Sequence, residues 1–191
     1  VTGMVYNSDV ITYGTYFDPN PPHSNPQWRL PEAMTSAMTY LKAGDVLLLE
    51  QQWEYNLGQY NFIPVEWYGN YSPSGQTFNG VYAAIVTAVG NGIHVVEAAG
   101  NGTMDLDTLS WYGDSGAIIV GAGGAYPGGG YPAGDLFPLS FTSYGSRVNV
   151  QGWGENVTTT GYGTYTGHTG LNDMFCWDFA GTSSASPMVA A

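Results

Sequence analysis

Positive charge is almost missing from this chain. Among 191 residues only Arg29, Lys42 and Arg147 are basic, against fifteen acids, for a formal charge of −12. Binding to phosphate backbones depends on clustered Lys and Arg, so this balance argues against nucleic acid and, for the same reason, against anionic membranes. No apolar run reaches the ~18 residues that a membrane helix needs. Cysteine is nearly absent too: Cys176 stands alone, so no disulfide can form within the chain. A buried structural thiol is the expectation there, and the redox compartment cannot be read from it. Histidine occurs three times, at His23, His94 and His168.

What is abundant points to a globular chain. Hydrophobic residues make up 43% of the sequence, enough at this length for one domain with a real core. No internal repeat and no linker divides it, so residues 1–191 read as one domain. Fifteen Tyr and 28 Gly with few charges suggest the polar, aromatic loops of an exported protein.

Periodicity supplies the elements. Residues 4–12 are rich in β-branched and aromatic residues, with Asp9 interrupting them, which predicts a strand. The Pro-rich segment from Asp18 to His23 predicts a loop. Leu30, Ala33, Met34, Ala37, Met38 and Leu41 recur at helical spacing, predicting a helix over 30–42 that Gly44 stops. The short runs 45–50, 93–98 and 117–120 predict buried strands. Residues 81–89, apolar on nearly every side, predict a buried helix, and 148–151 and 157–160 predict further strands. Residues 51–77 and 121–134 read as loops. Helices alternating with short apolar strands argue for βαβ units in a parallel sheet.

Two segments carry chemistry. The first is Gly181-Thr182-Ser183-Ser184-Ala185-Ser186-Pro187, followed by the apolar Met188-Val189-Ala190-Ala191. Small residues allow a tight strand-to-helix turn and close approach of a substrate. A serine there meets free N–H groups and the positive end of the helix dipole, which favour a developing oxyanion. Three serines compete. Pro187 suits the first helical turn, where its missing N–H costs nothing. The second segment is Val95-Val96-Glu97-Ala98-Ala99-Gly100-Asn101-Gly102, a strand ending in small residues and one amide. Ligands of open parallel sheets bind at carboxyl ends of strands, and an Asn amide can donate to an oxyanion.

Gly-Thr-Ser-x-Ala-Ser-Pro resembles the nucleophile motif of subtilisin-like serine peptidases, and Ala-Ala-Gly-Asn resembles the oxyanion segment of the same family. The resemblance implies an α/β, three-layer fold with a mostly parallel central sheet and helices on both faces, incomplete at both ends. It picks Ser183 as nucleophile, with Asn101 Nδ2 and the Ser183 N–H as oxyanion donors. It implies a serine endopeptidase acting through an acyl-enzyme on peptide or protein substrates, expected to be secreted and monomeric. The family's Asp and His-Gly-Thr segments have no match here, so both are expected upstream of Val1, and residues 1–191 alone are expected to be inactive. None of the three histidines has the family's neighbours.

The chain also departs from the family. Where many subtilisins have Ser-Leu-Gly, one wall of the primary specificity pocket, this chain has Glu50-Gln51-Gln52. Those residues, with Ala98, Ala99 and Gly100, are the expected substrate-binding set. Glu50 and Glu97 are expected to form a close carboxylate pair favouring a basic substrate side chain or an acidic working pH. No calcium-loop spacing occurs, and residues 104–107 are too sparse for a metal site, so no cofactor is expected, although many relatives bind calcium. Gly113-Asp114-Ser115-Gly116 resembles the nucleophile segment of chymotrypsin-like peptidases but leads straight into 117–120, which reads as a turn before a strand. A Gly-Asp-Ser segment is also similar to that of the sedolisins, acid peptidases with an oxyanion Asp; Asn101 holds that place here and favours the subtilisin side. The rival readings are a non-catalytic homologue that binds peptides or partners and a sedolisin-type acid peptidase.

Overall fold

The computed structural model describes residues 4, 7–17, 27–55, 60–67, 80–125, 137–161 and 174–191. Four of its strands, β3 (Val46–Leu49), β6 (His94–Ala98), β7 (Ile118–Gly123) and β8 (Val150–Trp153), form a parallel sheet in the order β3-β6-β7-β8. The register sets Leu49 beside Glu97, Val96 beside Ile118 and Val120 beside Val150. The apolar runs that predicted strands are therefore its central ladder, flanked on both faces as parallel sheets require.

Alternation along the strands separates the two faces. Leu49 and Val95 pack with Leu30 and Met34 of α1 (Leu30–Ala37) and with Val81, Ile85 and Ala88 of α2 (Gly80–Gly90). Val96, Val120 and Ala122 pack on the other side against Ala185 and Val189 of α3 (Thr182–Ala190). This three-layer α/β arrangement is the one expected from the sequence.

Several local expectations are corrected. Residues 9–15 join no ladder, and Val10 and Ile11 are exposed; their β-rich composition finds no partner strand among the described residues. The nearest pairing is between the two-residue strands β1 (Tyr16–Phe17) and β2 (Gln27–Trp28). Helix α1 ends at Ala37, five residues early, because the Ala37 carbonyl takes both Tyr40 N and Leu41 N and the Thr39 hydroxyl caps Ser36 O. Met38 and Leu41 still reach the core. Helix α2 buries only one face, leaving Val86 exposed, since it lies on the outer side of the sheet. The expected loop over 51–77 contains a hairpin of β4 (Gln52–Glu54) and β5 (Phe62–Pro64), followed by a 3-10 turn over Val65–Trp67. That hairpin has its own core of Ile63, Trp67, Leu106 and Leu109. Finally, β9 (Val157–Thr160) pairs antiparallel with β10 (Phe175–Phe179), a strand the sequence did not signal, which delivers the chain to Gly181. Cys176 on β10 is buried, and its thiol donates to Asp178 Oδ1 at 3.0 Å.

Candidate active site

Strand β6 ends in a turn that only small residues permit. Gly100 has φ +94°, and a Cβ there would lie 2.5 Å from Phe62 O. A Cβ on Gly102 would overlap the Phe62 backbone nitrogen. The two glycines thus let β5 run flush against the segment, and Asn101 projects between them. Its backbone N–H donates to Gln52 Oε1 at 2.8 Å. Its side-chain Oδ1 accepts from Thr182 N at 2.8 Å and Thr182 Oγ1 at 2.9 Å. The Thr182 hydroxyl also accepts from Gly100 N at 3.2 Å.

These bonds orient the amide. With Oδ1 committed to Thr182, Nδ2 is left as the donor end. Gly181 adopts φ +122° at the start of α3, and a Cβ placed on it would sit 3.2 Å from Asn101 Nδ2 and 3.2 Å from Ser183 Oγ. The amide and the hydroxyl therefore flank one small space that only glycine leaves open. In the first turn of α3, Ser184 N and Ala185 N bond Gly181 O, while Thr182 N goes to Asn101. The Ser183 N–H belongs to the same set of first-turn donors that no helical carbonyl can satisfy.

The three serines separate by environment. Ser184 is buried and donates to Trp153 O at 3.0 Å, Ser186 is fully buried, and Ser183 alone of the three keeps partial exposure. Pro187 departs from expectation. It lies in the second turn of α3, not the first, so its missing N–H leaves the Ser183 carbonyl without the usual bond from four residues on.

The expected substrate-binding residues fall on two adjacent strand ends. Glu50 and Gln51 follow β3 and Gln52 opens β4, with Gln52 bonded to Asn101 beyond the end of β6. Gln51 Nε2 donates to Thr15 Oγ1 at 2.6 Å. Ala98 and Ala99 are fully buried, so their methyl groups support the turn from behind. Partial burial raises the pKa of Glu50 above the usual carboxylate range. His94 stands exposed at the amino end of β6, the opposite end from Asn101, and His23 and His168 lie outside the described residues.

The carboxylate pair forms with a different partner. Register sets Leu49, not Glu50, beside Glu97. The acid that meets Glu97 is Glu66, in the turn after β5. Glu66 N donates to Glu97 Oε1 at 2.7 Å, and both side chains are fully buried. Arg147 grips Glu66 with Nε at 3.1 Å from Oε1 and Nη2 at 3.2 Å from Oε2, and its Nη2 also reaches Asp114 Oδ1 at 3.1 Å. Ser115 Oγ donates to Glu66 Oε2. The Gly113–Gly116 tetrapeptide is thus the turn before β7 that the sequence suggested, and its serine is a buried anchor for Glu66. Burial and the nearby Glu66 hold the Glu97 carboxyl well above its usual range; burial also raises Glu66, opposed by Arg147 and Ser115. The sequence held one overlooked signal: Glu66 sits inside the apolar run Phe62-Ile63-Pro64-Val65 and Trp67, where an acid must find a buried partner.

Asp105 and Asp107 are also occupied. Asp105 Oδ1 accepts from Asp107 N, and Asp107 Oδ1 accepts from Ser146 N and Oγ. Among the described residues no group of three or more His, Cys, Asp or Glu could hold a metal ion, and no helix is long and apolar enough to cross a membrane.

No family model and no curated protein matches the chain. Solved structures do. A cold-adapted subtilisin-like serine proteinase superposes with a TM-score of 0.51 at 16% identity over 84% of this chain and 44% of its own. The self-cleaved protease domain of PatA gives 0.52 at 15% identity over 84% and 47%, and the patellamide maturation protease PatA gives 0.50 at 16% over 84% and 46%. The chain spans less than half the length of each. With its parallel sheet, its α3 packed beneath that sheet and these neighbours, the chain has a subtilisin-like fold.

Proposed function

We propose that this chain carries the nucleophile and oxyanion half of a secreted serine endopeptidase. The observation that carries the proposal is the convergence of Asn101 Nδ2 and Ser183 Oγ on the space left by Gly181. Ser183 Oγ attacks the scissile carbonyl, and Asn101 Nδ2 with the Ser183 N–H receives the oxyanion, before water releases the acyl-enzyme. The adjoining ends of β3 and β6, from Glu50 to Gln52 and from Ala98 to Gly100, form the walls for a peptide side chain. A serine of this kind needs a base oriented by an acid. We assign both to residues outside 1–191, since none of His23, His94 and His168 has the neighbours of the family's catalytic histidine and His94 stands at the far end of β6 from Asn101. On this reading the substrate is a peptide or protein, and no cofactor takes part.

Fluorophosphonate labelling of the full-length protein tests the proposal. Labelling that disappears in Ser183→Ala and persists in Ser184→Ala is the expected result. A folded full-length protein that binds peptides but takes no label at any pH would instead establish the non-catalytic homologue. Labelling and peptidase activity confined to acid pH, with a carboxylate as base, would establish the sedolisin-type alternative.

A further inference from the structure

A chain of contacts connects the buried acid pair to the oxyanion amide. Glu97 lies on β6, four residues before Asn101. Its Oε1 accepts from Glu66 N, and Glu66 is in the turn that continues β5. The Phe62 backbone at the start of β5 lies against Gly100 and Gly102. Ser143 ties the same place from a third side, donating from Oγ to Phe62 O at 2.7 Å and from N to Gly100 O at 2.9 Å. β5 pairs with β4 through Gln52 and Pro64, and Gln52 Oε1 takes the Asn101 N–H. Asn101 is therefore held between α3 on one side and the β4–β5 hairpin on the other, and Glu97 fastens that hairpin to β6.

Glu97 Oε2 is fully buried and makes no hydrogen bond of normal geometry, and the Glu66 and Val65 backbone N–H groups only partly offset the burial of the carboxyl. A bare carboxylate oxygen in that position is very costly, while a protonated one is tolerable. The charged and titratable groups in this cluster are Glu66 from the turn after β5, Arg147 from the segment before β8, Asp114 from the turn before β7, and Tyr82 of α2, whose hydroxyl donates to Asp114 O. Arg147 is already shared by Glu66 and Asp114, so no cation remains in the cluster to balance a second buried carboxylate.

We propose that Glu97, kept in its neutral acid form, is a positioning residue for the oxyanion site: it locks the β4–β5 hairpin onto β6 and so fixes the Asn101 amide opposite Ser183. This rests on the peptidase reading for its kinetic consequence, while the structural coupling stands independently of it. When Glu97 loses its proton, its charge faces the Glu66 carboxylate without solvent. The lock then opens, and the hairpin and Asn101 loosen together.

The test follows amide hydrogen exchange at Glu66 and Asn101 in the full-length protein across pH, corrected for intrinsic exchange, alongside kcat and KM on a peptide substrate. In the wild type, protection at both amides should fall together as pH rises, with kcat falling and KM nearly constant. Glu97→Gln keeps an acceptor for Glu66 N and cannot ionise, so it should make both protections flat with pH and remove the alkaline fall in kcat. Glu97→Leu, if folded, should lose about tenfold in protection at both amides, the scale of one buried hydrogen bond. Protection at Asn101 that ignores pH in the wild type, or a Glu97→Gln protein that keeps the wild-type pH response, overturns the proposal. Exchange that behaves as stated in a protein that cleaves nothing would retain the coupling and reject only the peptidase reading.

Discussion

Thr182 donates twice to Asn101, from its backbone nitrogen and from its hydroxyl, and both bonds end on Oδ1. An amide pinned through its oxygen presents its nitrogen in one direction, which is the property an oxyanion donor requires. Thr182→Val preserves the shape and the backbone bond but removes the hydroxyl. The hydroxyl also accepts from Gly100 N, so two hydrogen bonds are lost, one of them at Asn101; on the proposed function, kcat should fall about tenfold or more with KM little changed, which steady-state kinetics on a peptide substrate checks.

On the proposed function, Asn101→Ala removes the oxyanion donor itself. The expected loss in kcat is about 10²–10³, as for removal of one oxyanion donor, with fluorophosphonate labelling slowed and KM nearly unchanged. A loss expressed only in KM would assign Asn101 to substrate binding.

Gly102→Ala should destabilise the fold by about 1–3 kcal/mol or more, the range for overpacking a tight site. The obstacle is the Phe62 backbone, which cannot rotate away as a side chain would. Urea denaturation measures the change. Gly44→Ala offers a contrast, because Gly44 has φ +94° but no atom within 4 Å of its Cβ position, so its cost is conformational strain alone.

Arg147→Met leaves Glu66 buried without its cation. Breaking a buried pair by removing one partner costs about 3–5 kcal/mol, so the variant should be strongly destabilised at neutral pH. The loss should shrink as pH falls, since Glu66, whose carboxyl is already raised by burial, then takes up a proton. Denaturation at two pH values is sufficient to check it.

The same acids set the pH dependence of the wild type. Glu50, Glu66 and Glu97 all have raised folded-state pKa values relative to an ordinary carboxyl at 4.5. An acid raised on folding is ionised first in the unfolded chain, so its contribution is complete below 4.5 and is lost as pH rises through the folded value. Asp107, lowered by Ser146, works in the opposite sense and is lost below 3.8. Thermal unfolding should therefore show greatest stability in mildly acid solution and a decline as pH rises above 4.5. Glu97→Gln should reduce that decline, leaving the part due to Glu50 and Glu66.

The parts that were legible in the sequence share one property: their signals are local. Val46–Leu49 and Val95-Val96 are apolar runs bounded by turns, and Gly181 with its small neighbours marks a strand-to-helix turn wherever it occurs. Asn101 was readable because a strand end and an amide coincide within a few residues. Glu66 was not, because its partners Glu97, Ser115 and Arg147 come from three distant segments, and nothing near Glu66 names them. Nearness of strand ends in the sequence suggests a Glu50–Glu97 pair, but the parallel register sets Leu49 beside Glu97 instead. Strands β4, β5 and β10 are too short or too polar for alternation to show. The expected strand over 4–12 misleads in the other direction, since β-branched composition describes a preference and a ladder needs a neighbour.

Asn101 is tethered to Gln52, 49 residues earlier, and to Thr182, 81 residues later. Neither tether is local, and the second belongs to the last stretch of these 191 residues. A ribosome that has delivered everything up to β10 has made a sheet and an Asn, but no aimed donor. The Asn101 amide is therefore fixed only once segments 81 residues apart in the chain have met, so its ordering waits on a long-range contact. A chain still lacking Thr182 would carry an Asn101 amide with neither of these two bonds to orient it.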